Sequence, residues 1–175
     1  MCKGLTAQKS TEVIRKICSK SPVIPVLTVD EIQDAIPLAT ALIDGGLTIL
    51  EVTLRTPNAL RIVEEISQMD QAIVGVGTLI DQKDVENAVK VGAKFGVSPG
   101  VTDHLVDACQ DNGIPLLGGV STACEVMRML DRGYEIMKFF PADVAGGMLA
   151  LKALQGPFPQ VSFCPTGGIS GNNAE

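Results

Sequence analysis

The strongest constraint on the fold is a repeated unit in which a short apolar segment is followed by a helix-forming segment. Successive apolar segments begin 25, 24, 23, 20, 21 and 25 residues apart. Strands that alternate with helices at such intervals indicate an α/β protein with a parallel sheet. The apolar segments also lack a polar face, as expected of strands that are covered on both sides. The seven predicted strands are Val23–Val29, Thr48–Leu54, Ala72–Thr78, Phe95–Ser98, Pro115–Val120, Ile136–Phe140 and Val161–Thr166.

The segments between these strands carry the signals of helices. Apolar residues recur at helical spacing among alanines and charged residues. Several segments end in glycine just before the next strand, which is a common way to end a helix. A further helix, at about residues 5–20, precedes the first strand. The six predicted helices that follow it are Glu31–Asp44, Asn58–Met69, Lys83–Val91, Asp103–Asn112, Ala123–Asp131 and Gly147–Leu154.

The near-constant interval favours a (β/α)8 TIM barrel over an open doubly wound sheet. No Gly-x-Gly-x-x-Gly motif opens the first helix, which argues against a dinucleotide-binding sheet. A TIM barrel has eight strands and usually at least about 200 residues, whereas seven strands are visible in these 175 residues. We therefore expect a single barrel domain over residues 1–175, from which the C-terminal strand–helix unit is missing.

Composition argues against several classes of function. The net charge of −6 argues against nucleic acid as a partner, because binding to a phosphate backbone needs a basic surface. No apolar run reaches the roughly 18 residues that span a membrane, and Met1–Ser21 is too polar for a signal peptide. The five cysteines form no Cys-x-x-Cys pair, and His104 is the single histidine. These features predict a cytoplasmic protein without membrane association and without a zinc site.

A lysine in the middle of an apolar segment is the first candidate for chemistry. The segment Tyr134–Pro141 has the pattern of a buried strand with Lys138 at its centre, and lysine is rarely buried without a reason. Burial disfavours the ammonium form and makes an amine available as a nucleophile. Side chains alternate along a strand, so Lys138 shares a face with Ile136 and Phe140 and is expected to point into the barrel. The alternatives are a structural ion pair and an amine that reaches solvent.

A second strand offers two charged side chains on one face. Alternation along the strand places Glu51 and Arg55 together, facing into the barrel near its C-terminal mouth, where barrel enzymes have their active sites. A buried amine, a carboxylate and an arginine suit Schiff-base chemistry. In that chemistry the amine attacks a ketone, the carboxylate moves protons, and the iminium accepts the electrons of a breaking C–C bond. The alternative is a buried ion pair without a function.

A glycine pair follows the last predicted strand, in the segment Cys164–Ser170. Such a turn leaves backbone N–H groups free to bind an anion, and barrels often bind phosphate at the loops after strands seven and eight. Two more strand ends, Gly75–Thr78 and Ser98–Gly100, are placed to line the same pocket. The alternative for their glycines is that they only keep the barrel narrow.

Five segments, in their order and spacing, resemble the motifs of the 2-keto-3-deoxy-6-phosphogluconate (KDPG) and 4-hydroxy-2-oxoglutarate (KHG) aldolases. The two long segments are Gly46–Arg55 and Gly133–Ala142, and the short ones are Val74–Thr78, Val97–Gly100 and Phe163–Ile169. The resemblance implies a class I aldolase of the Entner–Doudoroff pathway. Such an enzyme cleaves KDPG to pyruvate and glyceraldehyde 3-phosphate without a metal or a cofactor, and the family extends to 4-hydroxy-2-oxoglutarate. Its members are typically homotrimers.

The family pattern also implies a role for each candidate residue. Lys138 would form the Schiff base, and Glu51 would act as the general acid and base, partly through water. Arg55 and Thr166 would bind the pyruvate carboxylate. The residues that would shape the pocket are Thr78, Pro99 and Phe140, and those that would begin the phosphate site are Gly167 and Gly168.

The sequence departs from the family pattern at two places. Asp143 stands where many members have Glu, and the Gly-Gly-Ser segment of the eighth strand, which would complete the phosphate site, is absent from the 175 residues. Two functions other than the aldolase are also compatible with the sequence. One is a truncated, inactive barrel fragment that acts only through subunit association. The other is a phosphosugar isomerase that uses Glu51 alone.

Overall fold

The computed structural model describes residues 4–173, in which helices and strands alternate as predicted. A 3-10 turn at Ile32–Asp34 precedes the second helix. The helices are α1 (Ala7–Cys18), α2 (Ala35–Asp44), α3 (Ala59–Ser67), α4 (Gln82–Lys90), α5 (Asp103–Asp111), α6 (Ala123–Asp131) and α7 (Gly147–Gln155). The strands are β1 (Val26–Leu27), β2 (Ile49–Thr53), β3 (Ile73–Gly77), β4 (Phe95–Val97), β5 (Leu116–Leu117), β6 (Gly119–Val120), β7 (Ile136–Phe139) and β8 (Ser162–Pro165). None of the helices in this range is long and apolar enough to cross a bilayer.

All paired strands run parallel, in the order β1-β2-β3-β4-β5 and β6-β7-β8. The predicted strand Pro115–Val120 is divided at Gly118, because its first part pairs with β4 and its second part with β7. Hydrogen bonds continue across the division, since Ser98 N donates to Leu117 O at 3.3 Å and Lys138 N donates to Gly118 O at 2.9 Å. The eight short strands therefore form one continuous wall with seven strand positions.

The first and last strands of this wall do not pair with each other within residues 4–173, so the barrel is not closed. The predicted first strand, Val23–Val29, was too long, because β1 contains only Val26 and Leu27 and Val26 is 41% exposed. A strand with a partner on one side keeps one row of backbone groups unpaired, and fewer hydrogen bonds define its length.

Alternate residues of the strands face two apolar layers. On the outer face, Leu50 and Val52 of β2 pack with helix residues such as Ile62. The inner layer combines strand residues Ile49, Phe95, Val97, Leu117 and Ile136 with Ile14 and Ile17 of α1. Burial of these side chains provides the main stabilisation of the fold, at about 25 cal/mol for each Å² of apolar surface removed from water.

Helix α1 packs across the N-terminal end of the wall. Its residues Ile14 and Ile17 belong to the same buried cluster as the first residues of several strands, among them Ile49 and Ile136. The buried Ser10 hydroxyl accepts the backbone N–H of Leu116 at 2.9 Å, which fixes the helix to β5. Apolar side chains thus fill the N-terminal part of the interior, and the polar inner residues lie toward the C-terminal ends of the strands.

Candidate active site

A buried ion pair lies on the inner face of the wall. Lys138 Nζ donates to Glu51 Oε1 at 3.4 Å, and the two side chains are 6% and 5% exposed. Both residues are the third of their strands, β7 and β2. Because side chains alternate along a strand, each points inward two positions after an apolar inner residue, Ile136 or Ile49. The position of this pair agrees with the alternation predicted from the sequence.

Burial has the largest effect on the pKa of Glu51. Loss of hydration raises the pKa of this carboxyl above its ordinary value, and the positive charges of Lys138 and Arg55 oppose the rise without cancelling it. A carboxyl with a raised pKa gains and loses a proton more easily near neutral pH, as a general acid and base must. Across residues 4–173, no cluster of three or more histidine, cysteine, aspartate or glutamate side chains is arranged to hold a metal ion.

The ring of Phe140 forms an apolar wall beside the amine. The Lys138 ammonium lies 5.2 Å from the ring centroid, within the range of a cation–π contact. A Cβ built on Gly167 would lie 3.5 Å from the Cδ2 and Cε2 atoms of the same ring. Phe140 therefore connects the amine of β7 to the glycine pair that follows β8.

A cavity of about 780 Å³ contains this pair and extends into the gap between β1 and β8. Its volume is typical of a small-molecule site. The predicted site residues that line it are Glu51, Arg55, Lys138, Phe140, Thr166, Gly167 and Gly168. Thr78 and Pro99 follow β3 and β4 at the same end of the wall but are not among the lining residues, so their part in substrate binding stays a prediction.

Arg55 lies beyond the end of β2, exposed, at the edge of the cavity. The backbone just before it is anchored, because Leu54 N donates to Gly77 O at 2.9 Å. A guanidinium in this position can meet the carboxylate of a ligand that reaches down to the amine, and arginine pairs with carboxylates through two parallel hydrogen bonds.

The glycine pair after β8 forms a left-handed turn. Gly167 and Gly168 have φ values of 95° and 76°, a region that favours glycine. The turn is tied to the loop after β7, since Ala142 N donates to Thr166 O at 2.7 Å and Asp143 N donates to Gly167 O at 3.0 Å. A Cβ built on Gly168 would lie 3.1 Å from Cγ of Asp143. This carboxylate opposes an anion at the turn, so phosphate binding would depend on the backbone N–H groups.

A comparison with known protein families decides what this arrangement belongs to. The profile of KDPG and KHG aldolase matches residues 14–175. The chain belongs to the KDPG and KHG aldolase family. The 2-dehydro-3-deoxy-phosphogluconate aldolase of Pseudoalteromonas atlantica is 48% identical over 158 residues, which are 90% of this chain and 74% of that protein. The KHG/KDPG aldolase of Escherichia coli K12 is 45% identical over the same shares of the two chains.

Solved structures of this aldolase family share the fold. The KDPG aldolase of Zymomonas mobilis ZM4, with 3-phosphoglycerate, has a TM-score of 0.90 and 43% identity over 97% of this chain and 79% of that one. The KDPG aldolase of Legionella pneumophila holds pyruvate captured at low pH as a covalent carbinolamine intermediate. It has a TM-score of 0.87 and 48% identity over 90% of this chain and 77% of that one. These matches confirm the predicted TIM-barrel architecture.

Phe95 and Cys164 are among the cavity-lining residues of this aldolase family member that were not assigned to the site from the sequence. The Phe95 ring lies over Gly75, where a built Cβ would be 2.6 Å from its Cε1 atom. Cys164 stands opposite Lys138 in the β7–β8 register, and burial above all raises the pKa of its thiol to about 11. The thiol is therefore a neutral, weakly polar part of the wall. Alternation marks both residues as inward-facing, but only the strand register places Cys164 beside Lys138 and Phe95 over Gly75.

Proposed function

We propose that this chain is a class I aldolase that cleaves KDPG to pyruvate and glyceraldehyde 3-phosphate and also accepts 4-hydroxy-2-oxoglutarate. The observation that supports the proposal is the buried pair of Lys138 and Glu51 in the cavity of a KDPG and KHG aldolase family member. The pair joins a nucleophilic amine to a carboxyl whose pKa is raised toward neutrality.

Formation of the Schiff base is the first step of the proposed reaction. Lys138 passes a proton to Glu51, 3.4 Å away, and the free amine attacks the ketone carbon C2 of the substrate. Glu51 then delivers a proton to the C2 hydroxyl of the carbinolamine, which leaves as water. The product is an iminium that joins Nζ of Lys138 to C2.

Cleavage of the carbon chain is the second step. Glu51 takes the proton of the C4 hydroxyl, directly or through water, and the C3–C4 electrons move into the iminium as the aldehyde leaves. The enamine that remains takes a proton at C3 from Glu51 and becomes the iminium of pyruvate. Water attacks C2, pyruvate is released and the amine is restored. One carboxyl thus moves every proton, which suits a group whose pKa lies above its ordinary value.

The other cavity residues would hold the substrate around this chemistry. Arg55 and Thr166 bind the carboxylate, one through its charge and the other through its hydroxyl. The backbone N–H groups of the left-handed glycine turn begin the phosphate site. The residues proposed for that turn and for shaping the pocket are Gly167 and Gly168, and Thr78, Pro99 and Phe140.

The proposal also covers the domain organisation, the oligomeric state, the compartment and the pathway of the enzyme. We expect one barrel domain over residues 1–175, which acts as a homotrimer in the cytoplasm in the Entner–Doudoroff pathway. The support is the resemblance to the family. Light scattering on the purified protein tests the assembly, and a monomer at working concentration would contradict it.

Trapping with borohydride tests the proposed function. Pyruvate plus borohydride should attach one reduced pyruvate to the peptide that contains Lys138, as seen by mass spectrometry. Lys138→Met should abolish the adduct, and Lys94→Met, at an exposed position, should leave it intact. Folded protein without an adduct would overturn the Schiff-base mechanism. Turnover that survives Lys138→Met would favour the isomerase alternative, and folded protein without any turnover would favour the inactive fragment.

A further inference from the structure

A buried glycine at the end of β3 lies against the carboxylate of Glu51. A Cβ built on Gly77 would lie 2.9 Å from both Cγ and Cδ of Glu51 and closer still to Oε1. Real Cβ atoms essentially never approach another heavy atom closer than 3.0 Å. The three atoms nearest to that Cβ all belong to Glu51, so the carboxylate occupies the space that any side chain at position 77 would need.

The contact differs in kind from that of Gly119, another buried glycine. A Cβ on Gly119 would lie 2.7 Å from the carbonyl oxygen of Ser98, which is backbone and cannot move without a change in the wall. At Gly77 the atoms that must yield are the end of a side chain. A larger residue at position 77 should therefore leave the barrel folded and displace the Glu51 carboxylate instead.

The same glycine also anchors the end of the neighbouring strand. Its carbonyl accepts the N–H of Leu54 at 2.9 Å, one residue before Arg55. The residue after it, Thr78, turns out of the strand with φ 70°, a conformation that β-branched residues rarely adopt. A backbone held in an unfavourable conformation indicates that its surroundings fix it there. Gly77 is thus held at a fixed position between Glu51 and the base of Arg55.

We propose that Gly77 is a positioning residue for proton transfer by Glu51. This inference rests on the proposed function and adds a residue to it. With no side chain at position 77, the carboxylate can lie 3.4 Å from the Lys138 amine. A methyl group there would push the carboxylate away from the reacting atoms. Proton transfer at C3 should therefore suffer, whereas the Lys138 amine stays in place and the Schiff base should still form, if more slowly.

Two measurements on four variants test the inference. The variants are Gly77→Ala, Glu51→Asp, the double variant, and Gly156→Ala as the matched control. Gly156 is exposed, has a helical φ of −55°, and a built Cβ would lie 3.6 Å from its nearest neighbour. The measurements are the borohydride-trapped adduct at Lys138 and the exchange of pyruvate methyl protons with D₂O, which requires a proton acceptor at C3. Thermal unfolding reports whether each variant is folded.

Gly77→Ala should retain the adduct and lower the exchange rate by about 100-fold, the effect of roughly 1 Å of misplacement in an active site. Gly156→Ala should change neither. In the Glu51→Asp background, the same Gly77→Ala change should lower the exchange rate much less, because the shorter aspartate side chain leaves room for the added methyl group. A double-mutant cycle reports such coupling between residues in contact.

The outcomes separate this inference from the proposed function. Absence of an adduct in the unsubstituted protein would overturn both. An adduct in every variant, with equal exchange in Gly77→Ala and Gly156→Ala, would overturn the role of Gly77 alone. An equal loss of exchange in the Glu51 and Glu51→Asp backgrounds would also overturn it, because a structural effect does not depend on the length of residue 51. A Gly77→Ala protein that fails to fold would overturn it too, since the inference requires the carboxylate to yield.

Discussion

The Nζ atom of Lys138 and the Oε1 atom of Glu51 lie 3.4 Å apart, with both side chains almost fully buried. Such a pair costs desolvation energy, and removal of one partner leaves an uncompensated charge in the interior. A purely structural pair could be replaced by apolar residues with little loss of stability. In a catalytic pair the amine forms the Schiff base and the carboxyl transfers protons, so substitutions of the two residues should have different effects on the reaction.

Glu51→Gln should separate those steps. The amide has the shape of the carboxyl but cannot accept a proton, so exchange of the pyruvate methyl protons should fall by at least about 100-fold, the contribution of a general acid–base group. The amine remains, and slow formation of the borohydride-trapped adduct at Lys138 should persist. Glu65→Gln, on the exposed side of α3, is the matched control. Unchanged exchange in Glu51→Gln would exclude this carboxyl as the proton carrier.

The pH dependence of exchange should report the raised pKa of Glu51. Burial raises the pKa of this carboxyl above the ordinary value of 4.5. Below its pKa the carboxyl is protonated and cannot accept a proton, so the rate should fall as the pH falls through the raised pKa. The acid limb should therefore have its midpoint above pH 4.5, and it should be absent from the residual rate of Glu51→Gln. A midpoint at or below 4.5 would show that burial does not control this group.

Arg55→Ala should weaken the binding of pyruvate and of the substrate. A hydrogen bond to a charged group contributes about 1.5–3 kcal/mol, so KM should rise about 10-fold to 100-fold, with a smaller change in kcat. Arg55→Lys should recover part of the loss, because an ammonium keeps the charge but lacks the two parallel hydrogen bonds. Steady-state kinetics measure both. Arg61→Ala, at an exposed position of α3, should be silent, and a similar effect there would indicate general electrostatics instead of a specific contact.

Strand alternation was enough to place the side chains of the two charged residues on the inner face of the wall. The period of two is a property of the extended backbone, so it holds wherever a segment is a strand. It placed Lys138 and Glu51 on inward faces, and the structure has both on the inner face of the wall, 3.4 Å apart. The strand–helix order was predictable for a similar reason, since apolar periodicity and helix-ending glycines are local signals.

Features that depend on distant neighbours were not predictable from the sequence. The division of the fifth strand at Gly118 follows from a change of hydrogen-bonding partner, and the short β1 follows from pairing on one side. The contact of Gly77 with Glu51 depends on strand register as well as on alternation. A glycine in a strand signals a close approach of something, but the sequence does not say of what.

Thiol reactivity should follow burial. Burial raises the pKa of Cys109 to about 12 and that of Cys164 to about 11, which leaves little thiolate near neutral pH. Cys124 is exposed, so iodoacetamide should label Cys124 well before the other two in the native protein. In denaturant the three should react at similar rates. Peptide mass spectrometry measures the order, and early labelling of Cys164 would mean that the cavity wall opens to reagents.

Ser10→Ala should destabilise the fold without a direct effect on the chemistry. The Ser10 hydroxyl is buried and accepts the N–H of Leu116 at 2.9 Å, so its loss leaves a buried donor without a partner. An unsatisfied buried group costs about 1–3 kcal/mol, which should appear as a lower free energy of unfolding in urea. Ser19→Ala is the matched control, because Ser19 is exposed and donates to Lys16 O at 3.0 Å, where water can replace it. At temperatures where both variants are folded, the adduct at Lys138 should form as in the unsubstituted protein. Equal stability of the two variants would show that this hydrogen bond does not fix α1 to the wall.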